Sequence, residues 1–222
     1  MKLLLTSSGF TTDTIVNKCI ELVGKDAGLI NVAVINEGYA VEYGDHSWVI
    51  DELATLRKVF GGMIELVNLL ALEKDKVIER LVAADFVYVV GGNTDYLMHV
   101  FKKTGFDTVL MQVLETKVYV GSSAGSMVMC NRISTESYQA IYGESETFGV
   151  LEYLRVVDIA IKPHLNSPEW PNNRADKLTS ISADYIGTIY ALSDTSAVVY
   201  DSGELSMIGD DWMKLSSGKV VS

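Results

Sequence analysis

Short apolar runs alternate along the first half of the chain with longer segments whose apolar residues recur at helical spacing. The runs are nearly continuous, which is typical of strands buried on both faces of a parallel sheet. They predict strands at residues 3–6, 31–35, 63–69, 86–90 and 117–121. The segments between them predict helices at residues 11–23, 47–60, 74–82, 94–103 and 106–116. This alternation predicts an α/β fold, with a doubly wound, mostly parallel sheet and helices on both faces.

The pattern changes after the fifth predicted strand and its helix. Residues 132–154 are rich in loop signals, residues 156–161 predict a strand, and residues 172–185 predict a helix. Short apolar runs separated by tight turns then predict an antiparallel C-terminal edge on the sheet, at residues 189–192, 196–200 and 205–208. The sequence has no linker, repeat or low-complexity segment, so we predict that residues 1–222 form a single domain.

The segment that carries the clearest chemistry is Gly121-Ser122-Ser123-Ala124-Gly125, between the fifth strand and a helix. A Gly-x-Ser-x-Gly turn in this position is the pattern of a nucleophile elbow, which holds a serine hydroxyl exposed at the end of a sheet. A side chain at position 121 or 125 would collide with the neighbouring strand and helix, and Gly121 and Gly125 have none. We predict Ser123 as a nucleophile. The alternative is a turn that only connects two elements.

A serine nucleophile needs a base, and the chain has three histidines. His164 is favoured because it directly follows a predicted strand and Pro163, at a strand exit where Ser123 would also lie. His46 lies in a polar loop, and His99 lies inside a predicted helix.

The histidine needs an acid that holds its tautomer, and Asp194 is favoured because it follows another apolar run. Glu169, Asp158 and the absence of any acid remain open. The order Ser, His, Asp differs from the Ser, Asp, His order of the α/β-hydrolases, and a different doubly wound scaffold is therefore expected.

Two backbone amides are candidates for stabilising an oxyanion. One is the amide of Ala124, and the other comes from the glycine loop Gly91-Gly92-Asn93 at the end of the fourth predicted strand. Glycines there let the backbone approach a substrate closely. The alternative is an ordinary strand-to-helix turn in which Asn93 or Thr94 caps the helix.

Composition narrows the class of protein. The formal net charge is −11, which argues against binding to nucleic acid or to anionic lipid. Two cysteines in a chain of this length favour a reducing compartment over a disulfide framework. The first apolar run is too short for a signal peptide, and no apolar run approaches the length of a membrane span. We therefore predict a cytoplasmic protein, and the sequence predicts no metal and no cofactor.

Several motifs in order resemble peptidase family S51, which includes dipeptidase E and the cyanophycinases. They are Gly91-Gly92-Asn93-Thr94, Gly121-Ser122-Ser123-Ala124-Gly125, Pro163-His164 and Leu192-Ser193-Asp194. The resemblance covers nearly the whole chain. It implies a fold like that of the class I glutamine amidotransferases, with serine in place of their cysteine nucleophile.

The resemblance also implies roles for single residues. Ser123 would be the nucleophile, His164 the base, and the amides of Gly92 and Ala124 the oxyanion hole. The third member of the triad is a glutamate in dipeptidase E, and Asp194 stands at the matching position here.

Substrate preference is less constrained by the sequence. Dipeptidase E favours an N-terminal aspartate, for which Arg174 is a candidate cation and Asn93 a candidate polar contact. Arg174 is equally compatible with a solvated position on a helix. Residues 36–40 differ from the Pro-containing loop of that family, so the aspartate preference is not carried over.

The sequence thus predicts a serine-type peptidase of small peptides that uses a Ser-His-Asp triad. The alternatives are an esterase or amidase with the same triad, or a non-catalytic module that binds a small molecule. A homodimer is possible.

Overall fold

A computed structural model describes residues 1–142, 148–149 and 152–221, and in this part of the chain the strands form two sheets. The central sheet contains β1 (Lys2–Thr6), β2 (Val32–Ile35), β3 (Ile64–Leu66), β4 (Phe86–Val89), β5 (Val118–Ser122), β8 (Ala197–Asp201) and β9 (Glu204–Ile208). The second sheet contains β6 (Ala160–Lys162), β7 (Ile189–Ala191), β10 (Met213–Ser216) and β11 (Lys219–Val221).

The central sheet has the order β3-β2-β4-β5-β1-β8-β9. Its first five strands are parallel, whereas β8 and β9 run antiparallel to their neighbours. Parallel pairing brings strand ends to one edge, where Thr6 lies opposite Ser122 and Val89 opposite Gly121. The predicted α/β fold, with its mostly parallel sheet and antiparallel C-terminal edge, is confirmed.

Helices cover both faces of the central sheet. They are α1 (Asp13–Val23), α2 (Ser47–Val59), α3 (Lys74–Ala83), α4 (Thr94–Thr104), α5 (Phe106–Val113), α6 (Ala124–Met127), α7 (Thr135–Tyr142) and α8 (Ala175–Ala183). Because side chains alternate along a strand, Leu4 of β1 packs with Ile15 of α1 and Leu56 of α2, whereas Leu3 and Leu5 belong to the opposite apolar cluster. No helix in the described residues is long and apolar enough to cross a bilayer.

The second sheet departs from the sequence-based prediction. Residues 189–192 are predicted on the antiparallel edge, but Ile189–Ala191 forms β7 and pairs in parallel with β6. The strands β10 and β11 are not predicted at all. Strands of three or four residues bury too few side chains for a clear pattern, and every residue of β11 is exposed. His164 therefore follows a strand of the second sheet, not of the central one.

The segment between the sheets also differs from the prediction. Thr135–Tyr142 forms a helix within residues 132–154, which are predicted to be mostly loop. The strand predicted at 156–161 is shorter and begins at Ala160, because the amides of Val156 and Val157 donate to the carbonyl of Met129, at 2.8 and 3.1 Å. Residues 143–147 and 150–151 of the predicted loop lie outside the described residues.

Lys162, the last residue of β6, is a buried cation with 1% of its surface exposed. Its Nζ lies 5.6 and 5.2 Å from the ring centroids of Tyr138 and Tyr142. Burial, reinforced by the charge of Arg132 and opposed by that of Asp95, lowers the pKa of Lys162 to about 7. The ammonium form is thus penalised in the folded chain.

We expect Lys162→Met to stabilise the fold near pH 6 by about 1–4 kcal/mol, because a buried charge is replaced by an apolar side chain of similar length. The lysine titrates near 10.4 when unfolded, so between about pH 7 and pH 10 the unfolded chain holds one more proton than the native chain. The wild type should regain stability relative to the variant across that window. Urea unfolding of both proteins at a series of pH values measures the difference, and a pH-independent difference would contradict the assignment.

Candidate active site

The turn after β5 places Ser123 in an unusual backbone conformation, with φ 48° and ψ −112°. Helix α6 begins at the next residue. A Cβ built on Gly121 would lie 2.6 Å from the backbone of Gly125, and one built on Gly125 would overlap the Val89 carbonyl of β4. The glycines on either side of the serine are therefore required by the neighbouring helix and strand, as the sequence predicts.

The structure brings Ser123, His164 and Asp194 together. The Oγ of Ser123 lies 3.0 Å from Nε2 of His164, and Nδ1 of the same ring lies 2.7 Å from Oδ1 of Asp194. Ser123 comes from the central sheet, whereas the other two residues follow β6 and β7 of the second sheet. Since a carboxylate only accepts hydrogen bonds, the partners assign the hydrogen to Nδ1 and leave Nε2 as the acceptor from the serine hydroxyl.

The other residues considered for these positions lie elsewhere or play other parts. Asp158 accepts a hydrogen bond from Asn131 at 2.8 Å. The ring of His46 packs against that of Tyr39, with 5.2 Å between centroids. His99 stacks on Tyr96, at 6.3 Å.

Ser7, in the loop after β1, joins His164 to Asp194 and is missed by the sequence analysis. Its Oγ accepts the backbone N–H of His164 at 2.7 Å and donates to Oδ1 of Asp194 at 2.8 Å. His164 has a φ of 63°, so this backbone hydrogen bond holds a conformation that residues other than glycine rarely adopt. The only signal in the sequence is a polar residue at a strand exit.

Burial raises the pKa of Asp194, but the hydrogen bond and charge of His164 and the hydroxyl of Ser7 lower it, and the net shift is downward. Asp194 is therefore ionised at neutral pH. An ionised carboxylate in this position holds the imidazole ring of His164 in one orientation and tautomer through the contact with Nδ1.

The loop after β4 faces Ser123. A Cβ built on Gly91 would lie 3.1 Å from Cβ of Ser123, so a side chain there would crowd the serine. Gly92 has a φ of 114° and packs against the backbone of Gly38. The side chain of Asn93 accepts the amide of Tyr96 and caps α4, at 2.8 Å. Asn93 therefore has the capping role that the sequence leaves open, at the border of the site.

Arg174 is not brought to the site. Its Nη1 donates to the carbonyl oxygens of Ser167 and Trp170, at 2.9 and 3.1 Å. Arg174 does not line the cavity above Ser123. The guanidinium of Arg174 stabilises the loop between β6 and α8. Neither sequence interpretation of Arg174 predicts this role.

A cavity of about 240 Å³ opens above Ser123, His164 and the loop Gly91-Gly92. Four aromatic side chains line it: Trp48, Tyr138, Tyr142 and Trp170. Trp170 stacks on the imidazole of His164, with 5.7 Å between ring centroids and 17° between planes. Three carboxylic acids, Glu42, Glu52 and Glu169, also line the cavity.

Glu52 of α2 is the most enclosed of these acids. Its Oε1 accepts hydrogen bonds from the hydroxyls of Tyr88, at 3.0 Å, and of Ser122. Burial raises the pKa of Glu52, although both hydroxyls lower it. The sequence holds one signal for this residue, because Glu52 falls near the buried side of α2, between Val49 and Leu56. In the described residues no group of three or more His, Cys, Asp or Glu side chains is arranged to hold a metal ion.

Comparison with known proteins gives a consistent result. The model of peptidase family S51 matches residues 3–208. The uncharacterized peptidase Lin0382 of Listeria innocua is 27% identical over 194 residues, which are 82% of this chain and 88% of that protein. A peptidase E of Nostoc is 28% identical over 144 residues, 64% of this chain and 57% of that protein.

Solved structures agree with these relatives. A crystal structure from Listeria monocytogenes, assigned as a peptidase E, superposes with a TM-score of 0.76 and 25% identity, over 95% of this chain and 98% of that one. A peptidase from an acI-B1 Actinobacterium shares the fold, with a TM-score of 0.68 at 16% identity, over 100% of this chain and 96% of that one. Because the family match spans nearly the whole chain, this protein belongs to peptidase family S51 and is a serine peptidase.

Proposed function

We propose that the protein hydrolyses small peptides through a triad of Ser123, His164 and Asp194. The observation that carries the proposal is the continuous chain of contacts from Oγ of Ser123 to Nε2 of His164, 3.0 Å, and from Nδ1 to Asp194, 2.7 Å. These distances lie in the range that proton transfer between a nucleophile and its base requires.

In this mechanism Oγ of Ser123 attacks the carbonyl carbon of the scissile bond while Nε2 of His164 takes the hydroxyl proton. The imidazolium then gives the proton to the leaving amine, and the acyl group stays on Ser123. Water, deprotonated by the same nitrogen, attacks the acyl-enzyme and releases the acid. Asp194 remains ionised and stabilises the imidazolium. The turn that holds Ser123 acts as a nucleophile elbow.

The tetrahedral oxyanion would be held by the backbone amides of Gly92 and Ala124. Among the described residues neither amide donates a hydrogen bond to another protein group. Ala124 begins the helix that follows the nucleophile, where amides are unpaired and carry partial positive charge. The proximity of Gly91 to Ser123 supports a place for the Gly91-Gly92 loop beside the reacting carbon.

The size of the cavity favours a small substrate. Its volume of about 240 Å³ lies below the roughly 300–1,000 Å³ typical of sites for drug-sized ligands. Aromatic rings wall it on the side of His164, and they would exclude water from the reacting bond. A short peptide fits this enclosure better than a folded protein does.

We expect Ser123→Ala to abolish labelling by a fluorophosphonate probe, because the probe reacts with the activated hydroxyl. Hydrolysis of a panel of dipeptides should fall by about 10⁴-fold or more. Ser180→Ala, on the exposed side of α8, is the matched control and should keep both properties.

Equal labelling of wild type and Ser123→Ala would remove Ser123 from the reaction. If the protein hydrolyses p-nitrophenyl acetate but no dipeptide of the panel, the triad serves an esterase rather than a dipeptidase.

We expect Ser7→Ala to lower kcat about 10- to 100-fold with little change in KM, because two hydrogen bonds that position His164 and Asp194 are lost. Removing the Ser7 hydroxyl should also raise the pKa of Asp194, so the loss of activity that accompanies protonation of Asp194 should move to higher pH. Ser7→Thr keeps the hydroxyl and should restore much of the rate. A fall in rate without any change of the pH profile would make Ser7 merely structural.

A further inference from the structure

The cavity above Ser123 is acidic. It is lined by Glu42, Glu52 and Glu169, and no lysine or arginine lines it. All 18 Lys and Arg residues of the sequence lie in the described part of the chain, so this absence covers every such side chain. Arg174 is engaged with loop carbonyls, and Lys162 is buried against the rings of Tyr138 and Tyr142. An aspartate side chain in this cavity would meet three carboxyl groups and no lysine or arginine partner.

Glu52 supplies a second and independent observation. Its Oε1 accepts from Tyr88 and Ser122, whereas its Oε2 is buried and has no hydrogen-bond partner among the described residues. A buried carboxyl oxygen without a donor is costly, and a native structure rarely keeps one without a reason. Glu52 lines the cavity and contacts Ser122, so its carboxyl group borders the space where a donor would bind beside Ser123.

The aromatic side chains of the cavity suit the same kind of ligand. The faces of Trp and Tyr rings attract ammonium and guanidinium groups, and a cation between aromatic rings and a carboxylate is held by both. Trp48 and Trp170 provide such rings on the cavity wall. The net charge of −11 adds a long-range attraction for cations.

We propose that this cavity binds a positive charge carried by the residue on the acyl side of the scissile bond, with Glu52 as its main partner. The charge is the free α-ammonium group of the substrate or the basic side chain of its N-terminal residue. The protein therefore prefers peptides whose N-terminal residue carries a positive charge and no side-chain carboxylate. This inference rests on the proposed function, because it assigns the substrate class of the same site.

Matched dipeptides test the proposal. They share one C-terminal residue and begin with Lys, norleucine or Asp, each with a free or an acetylated amino terminus. We expect kcat/KM for the Lys or the free norleucine peptide to exceed that of the Asp peptide by at least 10-fold. If kcat/KM of the Lys peptide stays higher after acetylation of the amino terminus, the bound charge is that of the side chain. If acetylation of the norleucine peptide lowers its kcat/KM, the bound charge is the α-ammonium group.

Glu52→Gln should lower kcat/KM for the cationic peptides at least 10-fold more than it lowers kcat/KM for the acetylated norleucine peptide. Glu42→Gln, half-buried at the cavity, should produce a smaller difference. Glu115→Gln, exposed near the start of β5, is the control of equal charge change and should behave as wild type. Preference for the Asp peptide, or a cationic preference untouched by Glu52→Gln, would overturn the proposal.

A binding measurement separates this proposal from the proposed function. The full chain with Ser123→Ala is titrated calorimetrically with L-lysinamide, norleucinamide and N-acetyl-norleucinamide. Tighter binding of the charged amides, weakened by Glu52→Gln and by salt, supports the cation site even if no peptide is turned over. If the wild type is labelled by the fluorophosphonate and hydrolyses peptides without any preference for charge, the proposed peptidase activity stands and the cation site is rejected.

Discussion

The contact between Ser123 and His164 is the interaction on which the site depends, because it joins two separate sheets. Ser123 stands at the carboxyl edge of the central sheet, and His164 and Asp194 follow strands of the smaller one. Neither sheet alone provides both Ser123 and His164, the proposed nucleophile and base. The packing of the second sheet against the central one therefore fixes the distance of 3.0 Å on which the proposed proton transfer depends.

Both partners of this contact are held in backbone conformations that are uncommon for residues with a side chain. Ser123 has a φ of 48° and His164 a φ of 63°. Such conformations cost about 1–3 kcal/mol each and persist only where the surroundings enforce them. Here the surroundings are the close approach of Gly125 to β4 and the hydrogen bond from His164 to Ser7. The energy stored in the turns is offset by the packing of the two apolar clusters.

The apolar runs of the first half are sufficient to predict the five parallel strands of the central sheet, because strands buried on both faces leave a strong signal. Strand exits then indicated where Ser123, His164 and Asp194 lie. The second sheet could not be predicted, since its strands are short and β11 is exposed. Ser7 and Glu52 were missed because their partners are distant in sequence, as with the 187 positions between Ser7 and Asp194. The positive charge of Arg174 does not by itself predict that its guanidinium donates to loop carbonyl oxygens instead of lining the cavity.

The antiparallel pairing of β8 with β1 has a consequence for synthesis on the ribosome. Strand β1 is synthesised before β5 and β8 but lies between them in the sheet. One edge of β1 therefore stays unpaired until residues 197–201 have been synthesised. The strand that precedes Asp194 pairs with β10, which is made later still. A nascent chain that has emerged only as far as Ser123 lacks both His164 and Asp194. The proposed triad can therefore assemble only after Asp194 has been synthesised.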